Sequence, residues 1–201
     1  HSHQVTRLAL ALFDALRDVH GYGHDERHWL QCGAMLHDIG WTEGRKGHHR
    51  TAMRRICRDE TLPLDERSRR LVALIARYHR KALPRDDHEV YRDLDAPDRA
   101  RVWMLGGLLR LADALDRSHL ALVTSVRCEV AAKQLVVSCR TRAPAGPEAA
   151  AAAKKSSLLA RALDRSVRVI VQSPEGPHAD GADPEGPLTH LRMAPLKAAA
   201  D

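Results

Sequence analysis

Apolar residues recur at helical spacing through most of the first 120 residues. The first such stripe consists of Val5, Leu8, Leu12 and Leu16. A later stripe consists of Val102, Leu105, Leu108, Leu109, Ala112 and Leu115. This spacing places the apolar side chains on one face of an α-helix. Because aromatic residues are only 3% of the chain, we expect a core of Leu, Ala, Val and Ile, which favours helices over a β-sandwich.

The helices predicted from this periodicity cover residues 2–20, 25–39, 48–59, 65–81 and 98–119. Asp25 is expected to cap the second helix and Gly40 to end it, and Asp65 is expected to cap the fourth. Residues 41–47 and 84–97 are predicted loops.

The pattern changes after residue 120. Alternating, Val-rich segments predict strands over 122–130, 134–141 and 167–172, with a helix over 147–164. The last 29 residues contain five of the ten prolines, so we expect residues 173–201 to be disordered. The predicted fold is therefore mainly α: a helical domain over 1–120, a small β-β-α-β (α+β) subdomain over 121–172, and a disordered tail.

Composition excludes several classes of protein. We find no apolar run of about 18 residues, so no membrane span is expected. The four cysteines have no CxxC spacing, which favours unpaired thiols and a cytoplasmic location. We expect Trp29, Trp41 and Trp103 to be packing residues. Nucleic-acid binding is not expected, since aromatic residues are not interleaved with basic ones.

Positive charge is concentrated in one segment. Residues 42–85 contain 13 Lys and Arg against 5 Asp and Glu, whereas the whole chain has a net charge of +6. A local excess of this kind predicts a polyanionic ligand, such as a phosphate-rich small molecule or polyphosphate. The alternative is a solvated basic surface.

Eleven of the 13 histidines lie in residues 1–119, and one of them forms the strongest local motif. His37 and Asp38 end an apolar helix and precede Gly40, so both side chains can converge beyond the helix end. Imidazole and carboxylate together suit a divalent ion such as Mn, Fe, Zn or Co. The carboxyl end of the helix dipole also favours a cation.

Further ligands must come from elsewhere. Asp113 lies in an apolar helical run, where a carboxylate is costly unless it is paired or binds metal. The alternative for Asp113 is an ion pair with Arg110 or Arg117. One of His1 and His3, at the start of the first helix, can supply another imidazole.

These residues resemble a known family. A His at the start of one helix, His-Asp at the end of the next and Asp in a later helix is the order of the HD superfamily of phosphohydrolases. Five segments extend the resemblance to the C-terminal HD domain of the exopolyphosphatase/guanosine-pentaphosphate phosphatase (Ppx/GppA) family. They are HSHQVTRLALALFDAL, LHDIGW, GHHRTAMRRI, IARYHRK and LLRLADALDRSH.

The resemblance implies a divalent metal (Mn, Fe, Zn, Co or Mg) bound by His1, His37, Asp38 and Asp113. A second metal would use His48 or His49 together with His79. The family often has another His where this chain has Thr51, which is a departure from the family pattern at the second site. Asp38 and His79 are the candidate catalytic residues. The candidate phosphate-binding residues are Arg45, Lys46, Arg50, Arg80 and Lys81.

Two functions follow from the resemblance. The first is metal-dependent hydrolysis of a phosphoester or phosphoanhydride, with a polyphosphate, alarmone or nucleotide as substrate. The second is a non-catalytic module that binds phosphate chains or forms a homodimer. In that case the polyphosphate chemistry belongs to a separate actin-like domain, as it does in full-length members of the family.

Overall fold

The computed structural model describes residues 1–44 and 46–172. Its α-helices are α1 Ser2–Ala15, α2 Arg17–His20, α3 His24–Leu36, α4 His48–Arg58, α5 Glu66–Arg77, α6 Ala96–Ala114, α7 Gly146–Lys155 and α8 Ser157–Leu163. A 3₁₀ helix spans Ile39–Glu43. The strands are β1 Val123–Val130, β2 Gln134–Thr141 and β3 Ser166–Gln172. The predicted fold class, mainly helical with a small sheet, is confirmed.

Helix α6 runs through the centre of the helical bundle. It contacts α1, α3 and α5 of the bundle and also α7 and α8. Its leucines are fully buried, as the apolar stripe predicted. Asp95 caps α6 by accepting a hydrogen bond from the Asp98 backbone N–H at 2.8 Å, and Pro97 lies in the first turn. The helix therefore begins two residues before the predicted start at Asp98, and it ends before His119.

Helix α5 begins as predicted. The Asp65 side chain accepts a hydrogen bond from the Ser68 backbone N–H at 2.9 Å. Leu71, Leu74 and Ile75 are fully buried, in agreement with their predicted place in the core.

Helix α3 differs from the prediction at both ends. The N-cap is Gly23 rather than Asp25, and the Glu26 carboxylate accepts a hydrogen bond from the Gly23 backbone N–H at 3.1 Å. The helix ends at Leu36, after which a 3₁₀ turn occupies part of the predicted loop. The N-terminal prediction was wrong because a Gly N-cap offers no side chain for sequence rules to recognise.

Gly40 has a different role from the predicted helix stop. A Cβ atom at this position would lie 2.1 Å from the His48 carbonyl oxygen and 2.8 Å from the Ala52 nitrogen. The missing side chain therefore allows the 3₁₀ turn to pack against the backbone of α4. This contact fixes α4 beside the end of α3.

The sheet has the strand order β1-β2-β3. Strands β1 and β2 are antiparallel, with Val126 opposite Cys139, and β2 and β3 are parallel, with Val137 opposite Val169. The parallel pair requires a crossover, which α7 and α8 provide. A break at Ser156 divides the predicted 147–164 helix into these two.

Core residues of the sheet join those of the bundle in one cluster. The domain boundaries at residues 120 and 172 stay a prediction. The predicted disordered tail, residues 173–201, lies outside the described residues. All four cysteines are unpaired, as expected. Among the described residues, no helix has the length and apolarity needed to cross a membrane.

Candidate metal centre

His37 is the C-cap residue of α3 and is completely buried. Its Nδ1–H donates to the Ala34 carbonyl oxygen at 2.7 Å, which leaves the lone pair on Nε2. This Nε2 atom has no hydrogen-bond partner among the described residues. It lies 3.4 Å from Oδ2 of Asp38. A buried imidazole nitrogen that carries a lone pair and accepts no hydrogen bond is suited to bind a metal ion.

His79 follows α5 and repeats this arrangement. Its Nδ1–H donates to the Ala76 carbonyl oxygen at 2.6 Å, so its Nε2 also carries the lone pair. That atom lies 3.8 Å from Oδ1 of Asp38 and 3.4 Å from Nε2 of His48. His48, the first residue of α4, brings its own Nε2 to 3.3 Å from the same Asp38 oxygen.

His1 precedes α1 and is oriented by a carboxylate. Its Nδ1 lies 2.9 Å from Oδ2 of the buried Asp116, and Oδ1 of Asp116 accepts a hydrogen bond from the Ala121 backbone N–H. The Nε2 atom of His1 lies 3.4 Å from Oδ1 of Asp113 and 3.8 Å from Oδ2 of Asp38. The imidazole is therefore held by one carboxylate and directed at two others.

Asp113 lies in the last turn of α6, facing this cluster. Its Oδ2 accepts a hydrogen bond from Lys155 Nζ at 2.5 Å, and its Oδ1 lies 4.0 Å from Nε2 of His37. Arg110, one of its expected partners, instead donates to the Lys81 carbonyl oxygen at 2.6 Å. The partner of Asp113 is thus a lysine 42 residues away rather than a neighbour on the helix.

Electrostatics keep Asp113 ionised and His79 neutral. Burial alone would raise the pKa of Asp113, but a hydrogen bond from His1 and the ammonium of Lys155 hold it well below its usual value. Burial, followed by proximity to His37, lowers the pKa of His79 well below that of an exposed imidazole. Burial also opposes protonation of His1, but hydrogen bonds to Asp113 and Asp116 outweigh it and raise the pKa of His1.

Among the described residues, two groups of donor atoms could hold metal ions. The first comprises His1, His37 and Asp38, and the second comprises Asp38, His48 and His79. Within each group the atoms lie within 4.8 Å of one another. Asp38 belongs to both, so its two oxygens can serve two adjacent positions. Imidazole nitrogens with carboxylate oxygens suit Mn, Fe, Co or Zn. These residues therefore fit a divalent metal ion.

A cavity of about 440 Å³ opens onto this cluster. His1, Asp38, His79 and Asp113 line it on the cluster side. The cationic side chains that line it are Arg80, Arg117, Lys154 and Lys155. Candidate ligand atoms and several cations in the same cavity suit an anion bound next to a metal ion.

Residues 1–143 match the family model of the Ppx/GppA phosphatase, domain III. The chain belongs to the Ppx/GppA phosphatase family. No curated protein sequence matches it. The family was predicted from the five sequence segments, and the match confirms it.

Within this Ppx/GppA domain, the structure places the two candidate histidines of α4 differently. His48, and not His49, lies in the second donor group. The ring of His49 is 6.4 Å from that of His79 and lines a different cavity. Thr51 is buried in α4. Among the described residues, Asp38, His48 and His79 form the second group, so this group does not depend on a histidine at position 51.

The predicted phosphate-binding residues divide between two cavities. Arg80 lines the cavity at the donor cluster, and it also lines a second cavity of about 360 Å³. Lys46, Arg50 and Lys81 line the second but not the first. Arg45 lies outside the described residues. Arg80 is therefore the one predicted cation, among the described residues, that reaches both.

Sequence reasoning missed several residues at the donor cluster. Lys155, which no sequence pattern marks as a site residue, pairs with Asp113. Trp41 was expected to be a packing residue, yet it is 40% exposed, and its Nε1–H donates to Oδ1 of Asp38 at 3.0 Å. Asp116 was not singled out, nor was His119, whose ring stacks on that of His1 at 3.8 Å. The Asp113-x-x-Asp116 spacing was the available signal for Asp116.

Proposed function

We propose that this domain is an HD-type, metal-dependent phosphohydrolase that acts on a phosphoester or phosphoanhydride. One observation carries the proposal. His37 and His79 each give Nδ1–H to a backbone carbonyl, which leaves the Nε2 lone pairs directed towards Asp38. Hydrogen bonds of this kind fix the tautomer of histidines that bind metal ions.

The metal ligands in this proposal are His1, His37, Asp38 and Asp113, and a second ion would use Asp38, His48 and His79. When bound, a divalent ion supplies Lewis-acid chemistry, polarising a phosphoryl oxygen and making water more acidic. Mn, Fe, Zn, Co and Mg are the candidates, and the imidazole-rich donor set favours the first four.

The chain's own residues bind and orient the substrate. The guanidinium groups of Arg80 and Arg117 line the same cavity as Asp38, and each can bind two phosphoryl oxygens at once. Asp38 accepts a hydrogen bond from Trp41, which limits the rotation of its carboxylate. In this arrangement, Asp38 can hold a water molecule for attack on phosphorus while the arginines hold the phosphoryl group.

A non-catalytic role is the second candidate. The second basic cavity, which Lys46, Arg50, Arg80 and Lys81 line, lies outside both donor groups and suits a phosphate chain without any metal. Such a module would bind polyphosphate with an affinity that falls steeply as salt increases. Homodimerisation and a cytoplasmic location stay predictions.

Metal content of the purified protein tests the proposal first. Elemental analysis should find about one or two equivalents of Mn, Fe, Zn or Co in the wild type, since the donors form two groups. Asp38→Ala should lose most of this metal, because Asp38 belongs to both groups. Asp18→Ala, on the exposed surface of α2, should keep it.

Phosphate release then separates the two candidates. Metal-loaded wild type should release phosphate from at least one of a panel of nucleotides, alarmones, pyrophosphate and polyphosphate, and Asp38→Ala should not. A protein that binds metal but releases no phosphate from this panel would leave the binding module as the better explanation. Absence of metal after supplementation would overturn the metal centre itself.

A further inference from the structure

Lys155 is the last residue of α7, which lies in the β-β-α-β region rather than among the helices that carry the metal ligands. Its ammonium nevertheless reaches Oδ2 of Asp113 at 2.5 Å. The side chains of Lys155 and Asp113 are 28% and 14% exposed, so the pair is partly shielded from water. Such pairs are stronger than those on an open surface.

The two oxygens of Asp113 face different partners. Oδ1 lies 3.4 Å from Nε2 of His1 and 4.0 Å from Nε2 of His37, on the side of the candidate ligands. Oδ2 is held by Lys155. A divalent ion bound beside Asp113 would therefore lie close to an ammonium group. Because like charges repel in such a partly buried site, Lys155 opposes metal binding as long as it stays there.

The cavity offers Lys155 another position. It is lined by Lys155 together with Lys154, Arg80 and Arg117, so an anion that enters it meets several cations. Lysine has a flexible four-carbon stem and a compact charge, which allows its ammonium to exchange between neighbouring acceptors. An anion in the cavity would accept the ammonium and release Oδ2 of Asp113.

We propose that Lys155 exchanges between Asp113 and a phosphate group in the cavity, so that anion binding and metal binding strengthen each other. This inference rests on the proposed metal centre. It assigns to the α7 region the task of suppressing metal binding until the anion is present. By linkage, the metal must raise the affinity for the anion by the same factor.

Titration calorimetry with Mn²⁺, with and without inorganic phosphate, tests the exchange. The variants are Lys155→Met, which keeps the apolar stem without the charge, and Lys154→Met, its neighbour in the same cavity. Phosphate should tighten Mn²⁺ binding to the wild type by about tenfold, within the usual range of coupling between sites. Lys155→Met should bind Mn²⁺ about tenfold more tightly without phosphate and gain less from adding it. Without phosphate, Lys154→Met should bind Mn²⁺ as tightly as the wild type, because the ion pair with Asp113 comes from Lys155.

A charge-conserving variant guards against misfolding as an explanation. Lys155→Arg should bind Mn²⁺ more weakly than Lys155→Met and should recover a gain from phosphate. Equal Mn²⁺ affinities in wild type, Lys155→Met and Lys154→Met would overturn the inference and leave the metal centre standing. If none of these proteins bound Mn²⁺, the proposed function would fail and the inference with it.

Discussion

Asp116 acts on the candidate metal centre only through another residue. Its carboxylate holds Nδ1 of His1 and the Ala121 N–H, and it is 1% exposed. Asp116→Asn should weaken Mn²⁺ binding by about 10- to 100-fold, because it loses the charge that fixes the orientation and basicity of His1. Calorimetry should detect this loss, and Asp18→Asn on the surface should not change the affinity.

Replacing Gly40 tests how closely the 3₁₀ turn packs against α4. Gly40→Ala should lower the free energy of unfolding by about 1–3 kcal/mol, because its Cβ would meet the His48 carbonyl, part of a backbone that cannot rotate away. Urea denaturation measures this. Gly146→Ala is the matched control, since a Cβ at position 146 meets no atom within 4 Å. Equal stabilities of the two variants would contradict the packing role.

Local sequence was enough to find some site residues and not others. His37 and Asp38 were recognisable because they are adjacent at a helix end, and Asp113 because it is acidic in an apolar run. His48 and His49 could not be separated, since the choice depends on how α4 packs against Gly40. Lys155 could not be found, because only the packing of α7 against α6 brings it to Asp113.

The turn between α2 and α3 should make the stability of the folded protein depend on pH. His20 donates from Nε2 to the Phe13 carbonyl at 3.0 Å and accepts at Nδ1 from the Tyr22 N–H at 2.9 Å, so the neutral ring is required. Burial lowers the pKa of His20. Between this lowered pKa and the ordinary value near 6.5, the unfolded chain binds a proton that the folded chain does not. Stability should therefore fall as pH decreases below about 6.5.

The melting temperature against pH measures this effect. His20→Gln lacks the titrating ring, so its melting temperature should fall less than that of the wild type between about pH 7 and pH 5. A parallel fall in both proteins would show that other histidines account for the loss.

Elements were predicted better than their ends. Apolar periodicity located the main helices and Val-rich alternation located the strands. Ends depend on single contacts, such as the Glu26 carboxylate on the Gly23 N–H, which sequence rules based on Ser, Thr or Asp caps do not detect. The break between α7 and α8 was also missed, because residues 152–160 contain no Gly or Pro to mark it.

At the scale of the whole molecule, α6 and α8 join the bundle to the sheet region through Gly107. A Cβ there would lie 2.9 Å from both Cα and N of Leu159. Gly107→Ala should separate these helices and lower the free energy of unfolding by about 1–3 kcal/mol in urea. Gly106→Ala is the control, because its Cβ would have ordinary contacts of 3.5 Å or longer. It should be neutral or more stable, since Ala favours helix.

The overall architecture was predictable from the order of its elements, but their packing was not. The predicted β-β-α-β order agrees with the three-stranded sheet and the helices that precede its last strand. The registers, such as Val137 opposite Val169, and the single cluster of core residues that unites the sheet with the bundle depend on contacts between distant segments. Sequence periodicity carries no information about such contacts.

The ion pair between Asp113 and Lys155 has a consequence for biosynthesis. A ribosome makes His37, Asp38, His48 and His79 first, then Asp113, and Lys155 only 42 residues later. Since the amino-terminal part of a chain folds first during synthesis, the helical bundle can bring these imidazoles and both aspartates together before Lys155 has been synthesised. A nascent chain at that stage would bind a metal ion most readily. Once α7 is synthesised and folds, Lys155 would pair with Asp113 and oppose further metal binding.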